Sequence, residues 1–295
     1  MAGKRGTGVV DARFWLIQTF NGISYGALLF LVGSGLSLIF GVMRIVNLAH
    51  GSYFLLGGYV ALSVIWTTGS WLLAIPVAAA TIALLGLAME RVFLRPLGFD
   101  TLRQVLLTVG FAFLFQQAAL DIWSGNNFDI NPPAALTRSI VVAGLYLPLY
   151  RVFMIGVALA IGLALWLIME KTRLGATIRA TVDDAQMARG VGIDTSFISM
   201  LIFALGAFLA ALGGVIGGAF LGIYPGLDFE MLPIAFAVVI IGGMGSLGGA
   251  AIGALLVGLA DNFGKALFPE VSYFTLYAPM ALILAVKPTG LFGRE

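Results

Sequence analysis

Long apolar stretches recur along the whole chain, and they constrain its fold more than any other feature of the sequence. In the hydrocarbon core of a bilayer, backbone N–H and C=O groups must be satisfied within the protein, so runs of about 20 apolar residues predict spanning helices. Charged residues make up only 10% of the chain, whereas soluble domains contain about 25%. We therefore expect an all-α, polytopic integral membrane protein in which residues 1–295 form a single domain.

The apolar segments predict eight or nine transmembrane helices. They lie at residues 14–40, 45–66, 71–94, 102–123, 152–169, 197–223, 231–243, 249–266 and 273–287. The segment 231–243 is too short to cross a bilayer alone, and the glycine-rich sequence GGMGSLGG follows it at 242–249. Irregular backbone at membrane depth is tolerated only where it is buried in protein or lines a wet cavity. We therefore expect a broken or re-entrant segment at this point.

Basic residues set the predicted orientation, because cytoplasmic loops carry an excess of Lys and Arg. The loops 90–103 and 170–196 are rich in them and are placed on the cytoplasmic side, whereas the loops 124–150 and 224–230 carry several acidic residues. This count places the N-terminus outside, although Lys4 and other basic residues precede the first span. The basic residues assigned to the cytoplasmic side are Arg44, Arg91, Arg95, Arg103, Lys171, Arg173, Arg179, Arg189, Lys287 and Arg294.

The polar loop RLGATIRATVDDAQMARGVGIDTSF, residues 173–197, contains a short amphipathic helix predicted at 182–190. Thr181 can cap this helix, with Asp184 three residues later as the second member of a capping box, and glycines end it. A two-turn helix is not stable alone. It is either a connector packed on the membrane face of its own chain or a plug for a cytoplasmic partner. The residues predicted to share one face are Asp184, Met187, Ala188 and Val191.

This loop resembles the coupling helix of bacterial ABC-importer permeases, whose pattern is Glu-Ala-Ala, three residues, then Gly. Gln186, Met187, Ala188 and Gly192 fall on those positions, and Ala188 and Gly192 match by identity. Longer strings resemble the LivH-type family of high-affinity branched-chain amino acid permeases, in order and over essentially the whole chain. They are FGVMRIVNLAHGSYFLLGGYVA (40–61), ERVFLRPL (90–97), RATVDDAQMARGVGID (179–194), GGMGSLGGAAIGA (242–254) and KPTGLFGR (287–294).

The resemblance implies a multi-pass permease subunit of an ABC importer in the bacterial inner membrane, with a cytoplasmic C-terminus. A homologous LivM-like subunit, two cytoplasmic ATP-binding subunits and a periplasmic substrate-binding protein are the implied partners. The binding protein could dock on the loops 124–150 and 224–230, or the loop 124–150 could be a plain connector. The implied substrates are branched-chain amino acids, with urea, short amides or aromatic acids as alternatives. The residues implied to couple to the ATPase are Asp183, Asp184, Gln186, Met187, Ala188, Arg189 and Gly192.

Several other classes of protein fit the sequence less well. No Walker A pattern occurs, so ATP hydrolysis is expected in another chain, and we expect neither an enzyme nor a cofactor. One histidine and no cysteine cannot form a metal site of nitrogen and sulfur ligands. The net charge of +2 gives no reason to expect a nucleic acid partner. The rival class is an ion-coupled secondary transporter, which would need charged residues in mid-span, and this chain has few.

His50, the only histidine, lies in the sequence RIVNLAHGSYFLLGGYVAL beside Asn47 and Ser52. The predicted topology places it near the cytoplasmic face, at the start of the second span. Three interpretations remain: hydrogen bonding to nearby backbone, a place on the translocation path or its gate, and catalysis. The catalytic form would be an intramembrane serine hydrolase, but the G-x-S-x-G pattern fails around Ser246.

The pair Gly-Ser occurs at 51–52 and again as Gly245 and Ser246, each time between two apolar segments. An internal duplication would place the two breaks around a central path, as in many transporters. The alternative is that these small residues allow close helix packing. Gln116 lies in mid-span and is either a path-lining residue or a helix–helix hydrogen-bonding one.

Overall fold

Eleven α-helices form most of the protein that the computed structural model describes, which covers residues 12–98, 100–142 and 144–293. They are α1 (Ala12–Met43), α2 (His50–Thr68), α3 (Trp71–Met89), α4 (Thr101–Trp123), α5 (Leu149–Lys171), α6 (Arg173–Asp183), α7 (Ala185–Gly190), α8 (Thr195–Leu221), α9 (Leu227–Gly242), α10 (Leu247–Leu267) and α11 (Ser272–Val286). The all-α membrane fold is confirmed. The strands β1 (Ser139–Val142) and β2 (Leu145–Pro148) form an antiparallel hairpin that the sequence analysis missed.

Six of the described helices are long and apolar enough to cross a bilayer, fewer than the eight or nine predicted. They are Ala12–Met43, Trp71–Leu97, Thr101–Trp123, Leu149–Lys171, Thr195–Leu221 and Leu247–Leu267. Three further predicted spans, at α2, α9 and α11, are not among them. Helix α9 has 16 residues, which gives a length of about 24 Å, less than the hydrocarbon thickness of about 30 Å.

Helices α1 and α8 lie at the centre of the bundle. In each of them 72% of the most apolar 18-residue stretch is buried, compared with 17% in α5, which faces outward. Gly35 of α1 lies against α8, where an added Cβ atom would come within 2.6 Å of the Gly206 carbonyl oxygen. Gly214 of α8 packs in the same way on the carbonyl oxygen of Phe54 in α2. Because small residues let backbones approach closely in a membrane, α1, α2 and α8 form a tightly packed core.

The two basic loops lie at one end of the molecule, as predicted. Residues from 90–104 and from 181–199 line a single cleft together with Arg44. At the opposite end, the segments that follow α4 and α8 meet in a β-bridge between Phe128 and Ile223, with a distance of 2.8 Å from Phe128 N to the Ile223 carbonyl oxygen. Lys4 and Arg294, two of the basic residues used to predict the orientation, lie outside the described residues.

Helix α2 begins inside the bundle. Its first residue, His50, is fully buried and places Nε2 3.0 Å from the carbonyl oxygen of Val32. Val32 lies about three turns before the end of α1, so the non-helical segment 44–49 runs back into the protein. The expectation that His50 lies near the cytoplasmic face is therefore wrong. It failed because the apolar run 45–66 has the length of a complete span, although its first residues are not helical.

The glycine-rich sequence 242–249 forms a tight turn between α9 and α10 at the end of the bundle. Helix α9 is too short to cross a bilayer alone and irregular backbone follows it, as expected, and a further non-helical segment that was not predicted lies at 44–49. Two glycines take left-handed conformations, Gly243 with φ of 100° and Gly245 with φ of 81°. The C-terminal tail packs on this turn, because the backbone N–H groups of residues 291 and 292 donate to the last carbonyls of α9, each at 2.9 Å. The tail thereby caps α9.

Candidate functional site

The N-terminal ends of α2 and α9 meet inside the bundle. The Ser52 hydroxyl, in the first turn of α2, donates to Oδ2 of Asp228 in the first turn of α9 at 3.0 Å. Gly51 packs on the Asp228 carbonyl oxygen, and Asp228 is only 2% exposed. Helix N-termini carry partial positive charge, so this position favours a carboxylate. Hydropathy assigns Asp228 to the loop 224–230 and not to a helix inside the bundle, although an acidic residue in the first turn of a helix is a recognisable signal.

The segment before α2 is held by side chains because it has no helical partners for its backbone. Oδ1 of Asn47 accepts from the N–H of Ala49 at 3.1 Å, and the Thr108 hydroxyl of α4 accepts from the N–H of Leu48 at 3.2 Å. One ring nitrogen of His50 bonds to α1, as described above. The structural interpretation of His50 therefore accounts for one of its two nitrogens.

Six buried polar side-chain atoms have no partner in hydrogen-bond geometry within the described part of the chain, and four of them lie on or against α2. Those four are Asn47 Nδ2, His50 Nδ1, Tyr59 OH and Asp228 Oδ1, and the other two are Trp71 Nε1 and Glu90 Oε2. Two of the first four residues have other polar contacts, Asn47 with Tyr53 and Asp228 with the backbone at Phe229. Unpaired buried polar atoms are uncommon in native proteins and need an explanation. We call Asn47, His50, Ser52, Tyr59 and Asp228 the α2 seam. It is a line of polar groups buried inside the helix bundle.

The remaining predicted path residues lie elsewhere. Ser246 is the N-cap of α10, where its hydroxyl accepts from the N–H of Gly249 at 3.0 Å, and Gly245 packs on Gly41 of α1. Gln116 is half-buried on α4, and no hydrogen bond joins it to the seam among the described residues. Close packing accounts for both Gly-Ser pairs, since Gly51 and Gly245 each contact backbone. The structure does not bring the two pairs together.

The predicted coupling region forms two helices, α6 and α7, instead of one helix at 182–190. Asp184 lies between them and caps α7, because its Oδ1 accepts from the N–H groups of Gln186 and Met187, both at 2.9 Å. Thr181 is not the cap. It is buried inside α6, where its hydroxyl donates to the carbonyl oxygen of Thr177 at 2.9 Å. Helix α7 ends at Gly190, as predicted from Gly190 and Gly192.

The residues predicted to share one face of α7 differ in burial in the structure. Ala188 is buried, with 3% of its surface exposed, whereas Met187 is 66% and Val191 71% exposed. Arg189 Nε donates to the Thr195 hydroxyl at 2.8 Å, which ties α7 to the start of α8. Ala188 therefore anchors α7 to its own chain. The two exposed apolar side chains project from an otherwise polar loop, which is typical of an interaction surface.

A polar cleft of about 870 Å³ separates α6 and α7 from the ends of α1 and α3. Its lining contains four buried polar residues and several exposed charged ones. The buried ones are Glu90, Gln104, Thr181 and Thr195, which are 2%, 6%, 4% and 5% exposed. Arg44 and Arg95 are exposed. Arg44 has φ of 54°, an uncommon conformation for a residue other than glycine.

Spanning helices, a polar seam inside the bundle and a short exposed helix at one end are features of a membrane transport protein. Comparison with known proteins gives the same class. Residues 18–284 match the family described as branched-chain amino acid transport system, permease component. The chain belongs to this family, and it is a transmembrane permease subunit of an ABC importer.

The relatives cover almost the complete chain. The high-affinity branched-chain amino acid transport system permease protein LivH of Escherichia coli K12 is 32% identical over 95% of this chain and 96% of its own length. The corresponding protein BraD of Pseudomonas aeruginosa is 29% identical with the same coverage. The autoinducer 2 import system permease protein LsrC of Salmonella paratyphi B is 26% identical over 86% of this chain and 73% of its own length.

Proposed function

We propose that this subunit pairs with a homologous, LivM-like permease and forms the path by which branched-chain or related amino acids cross the inner membrane. The α2 seam carries this proposal, because it places polar groups at membrane depth where a charged amino acid needs them. The names of the LivH and BraD relatives support the substrate class. The LsrC relative imports a different compound, so the substrate is the part of the proposal that most needs a test.

The path runs along α2, past Asn47, His50, Ser52 and Asp228. In the conformation described here these groups are buried, and part of their hydrogen-bonding capacity is unused. An opening that admits water and substrate would satisfy them. The Ser52–Asp228 hydrogen bond joins the ends of two short helices, so it is a natural contact to break when α2 and α9 separate.

The α7 end faces the cytoplasm in this proposal, in accordance with its basic residues. Met187 and Val191 insert into a socket on a cytoplasmic ATP-binding subunit. Movement of α7 reaches α8 through the Arg189–Thr195 hydrogen bond, and α8 packs closely on α2 at Gly214. A rigid displacement along this route transmits ATP-driven closure of the ATP-binding subunits to the α2 seam, which then opens.

The opposite end receives the periplasmic substrate-binding protein. The β1–β2 hairpin projects from the loop 124–150, and Val141 and Tyr146 are 60% and 76% exposed. Exposed apolar residues on a short hairpin favour docking over a role as a plain connector. The second predicted docking loop, 224–230, is partly buried because Asp228 turns into the bundle.

Cysteine labelling tests the path, because the natural sequence contains no cysteine. Ser52→Cys provides a single thiol in the seam of this subunit, and Ser24→Cys is the matched control, since Ser24 is also fully buried and bonds only to its own helix. The complete importer is reconstituted in proteoliposomes with a leucine-loaded binding protein. We expect ATP-dependent leucine uptake, and labelling of Ser52→Cys by a polar thiol reagent that rises during turnover while Ser24→Cys stays unlabelled.

Two results would contradict the proposal. Equal labelling of the two cysteines during turnover would remove α2 from the path. Leucine uptake that follows an imposed ion gradient and does not require ATP would favour the rival class of secondary transporter.

A further inference from the structure

The cleft beside α7 contains an acidic side chain that the proposed path does not use. Glu90 lines the cleft and is 2% exposed, and its Oε2 has no hydrogen-bond partner among the residues described. Within the same residues, no Lys or Arg nitrogen forms an ion pair with Glu90 at 4 Å or less. Arg95 and Arg91 interact with Glu90 electrostatically at longer range, and neither forms a direct ion pair with it. Glu90 therefore keeps an unused acceptor that the cationic group of a ligand can fill.

The backbone at Glu90 is unusual. Helix α3 continues into a π-helical turn, Glu90–Leu94, in which the N–H of Arg95 donates to the Glu90 carbonyl. Turns of this kind are rare and are frequently found at functional sites. The hydrogen bond between residues five apart brings Glu90 and Arg95 to the same side of the turn, and both line the cleft. The turn thus presents a buried carboxylate and an exposed guanidinium to one space.

The charges around the cleft restrict the class of ligand. Three basic and four acidic residues line it, so it lacks the positive excess that a phosphate group requires. They are Arg44, Glu90, Arg95, Asp183, Asp184, Arg189 and Asp194. No group of three or more metal-ligating side chains occurs in the part of the chain searched for one, which gives no support to a divalent cation. Opposite charges side by side suit a zwitterion, and a volume of about 870 Å³ holds a small molecule.

The cleft and the α2 seam are separated by one packed contact. The Tyr53 hydroxyl of α2 donates to the sulfur of Met89 at 2.9 Å, and Met89 directly precedes Glu90. Opening of this contact would bring a molecule that leaves the seam toward the α7 end beside Glu90. We propose that this cleft is a binding site for an α-amino acid, in which Glu90 binds the ammonium group and Arg95 binds the carboxylate. The inference rests on the proposed function, since it identifies the ligand with the transported substrate.

Binding of tritiated L-leucine to the complete importer in nanodiscs, without the binding protein, tests the site. Two competitors separate the two charges: isocaproate lacks the ammonium group, and isoamylamine lacks the carboxylate. For the natural protein we expect each analogue to compete at least about tenfold more weakly than leucine, the effect of losing one charged hydrogen bond. Glu90→Gln should lower leucine affinity to that of isocaproate and leave isocaproate binding unchanged.

Arg95→Gln should make the complementary change, so that leucine and isoamylamine compete equally. Glu170→Gln is the matched control, because Glu170 is exposed at the end of α5 and does not line the cleft, and it should bind leucine normally. An equal loss of leucine and isocaproate binding in Glu90→Gln would indicate general damage and overturn the assignment. Unaltered leucine binding in that variant would do the same.

ATP-dependent uptake measured on the same preparation separates this inference from the proposed function. Leucine uptake without leucine binding in nanodiscs would overturn the cleft site and leave the importer assignment intact. Binding that depends on Glu90, in a preparation that does not take up leucine, would support the site and contradict the proposed substrate.

Discussion

The coupling role of α7 predicts that its two exposed apolar side chains contribute much of the affinity for the ATP-binding subunits. Fully burying a methionine or valine side chain is worth about 1.5–3 kcal/mol. Since Met187 is 66% and Val191 71% exposed, the double variant Met187→Ala/Val191→Ala should lose about 2–3 kcal/mol of binding free energy. The dissociation constant would then rise about 30- to 150-fold.

The assay is a titration of the permease pair in nanodiscs with fluorescently labelled ATP-binding subunits. Met244→Ala is the matched control, because Met244 is 47% exposed in the turn between α9 and α10 and not on α7. It should leave the dissociation constant unchanged. A dissociation constant for the double variant equal to that of the natural protein would refute the socket, and equal losses in the double variant and the control would refute its location on α7.

Ala188 gives an internal check on this reasoning. It matches the family pattern, but it is buried, so a charged side chain there would be forced into the interior of its own chain. Ala188→Asp should abolish assembly and also increase protease cleavage in 173–194. The double variant at Met187 and Val191 should weaken assembly without increasing cleavage. Increased cleavage of both would indicate that the exposed side chains hold α7 in place.

Three further outcomes are expected. Ser52→Ala removes the donor to the buried Asp228 carboxylate; a hydrogen bond to a charged group is worth about 1.5–3 kcal/mol, so ATPase activity without the binding protein should rise about 10- to 150-fold if the bond holds the closed state. Gly214→Ala places a Cβ atom against the Phe54 carbonyl and should destabilise the protein by about 1–3 kcal/mol, which is measured as a lower Tm. In the control Gly110→Ala the added Cβ atom meets nothing within 4 Å, so the Tm should not fall. Deletion of 290–293 removes two hydrogen bonds that cap α9 and should lower the Tm by the equivalent of about 1–3 kcal/mol.

Local signals made part of α7 predictable. Glycines after the helix and an acidic residue at its start are recognised from the sequence, and both act within a few residues. The division of its face was not predictable in this way. Ala188 is buried and Met187 is exposed because α7 is separated from α6 at Asp184 and held to α8 by Arg189. That arrangement depends on packing between segments and not on helical periodicity.

The depth of His50 and the burial of Asp228 depend on longer-range contacts. Hydropathy measures how apolar a segment is, but not at which level of the bundle its helix begins. The level of α2 is fixed by the contact of His50 with Val32 of α1, and that of α9 by the contact of Asp228 with Ser52. No pattern in a single segment contains these pairs, so sequence patterns alone assign both residues to positions near the surface.

A helix that begins inside the bundle turns its first N–H groups toward protein instead of water, and these groups must be satisfied there. A helix of full length would avoid this cost, so two short helices that meet at Ser52 and Asp228 are favoured only where polar groups are needed at membrane depth. The packing around them is unequal. Helix α2 is held closely to α8 through Gly214, whereas its end meets α9 through one side-chain hydrogen bond and the contact at Gly51. Movement of α8 should therefore carry α2 with it and open the seam at the junction with α9.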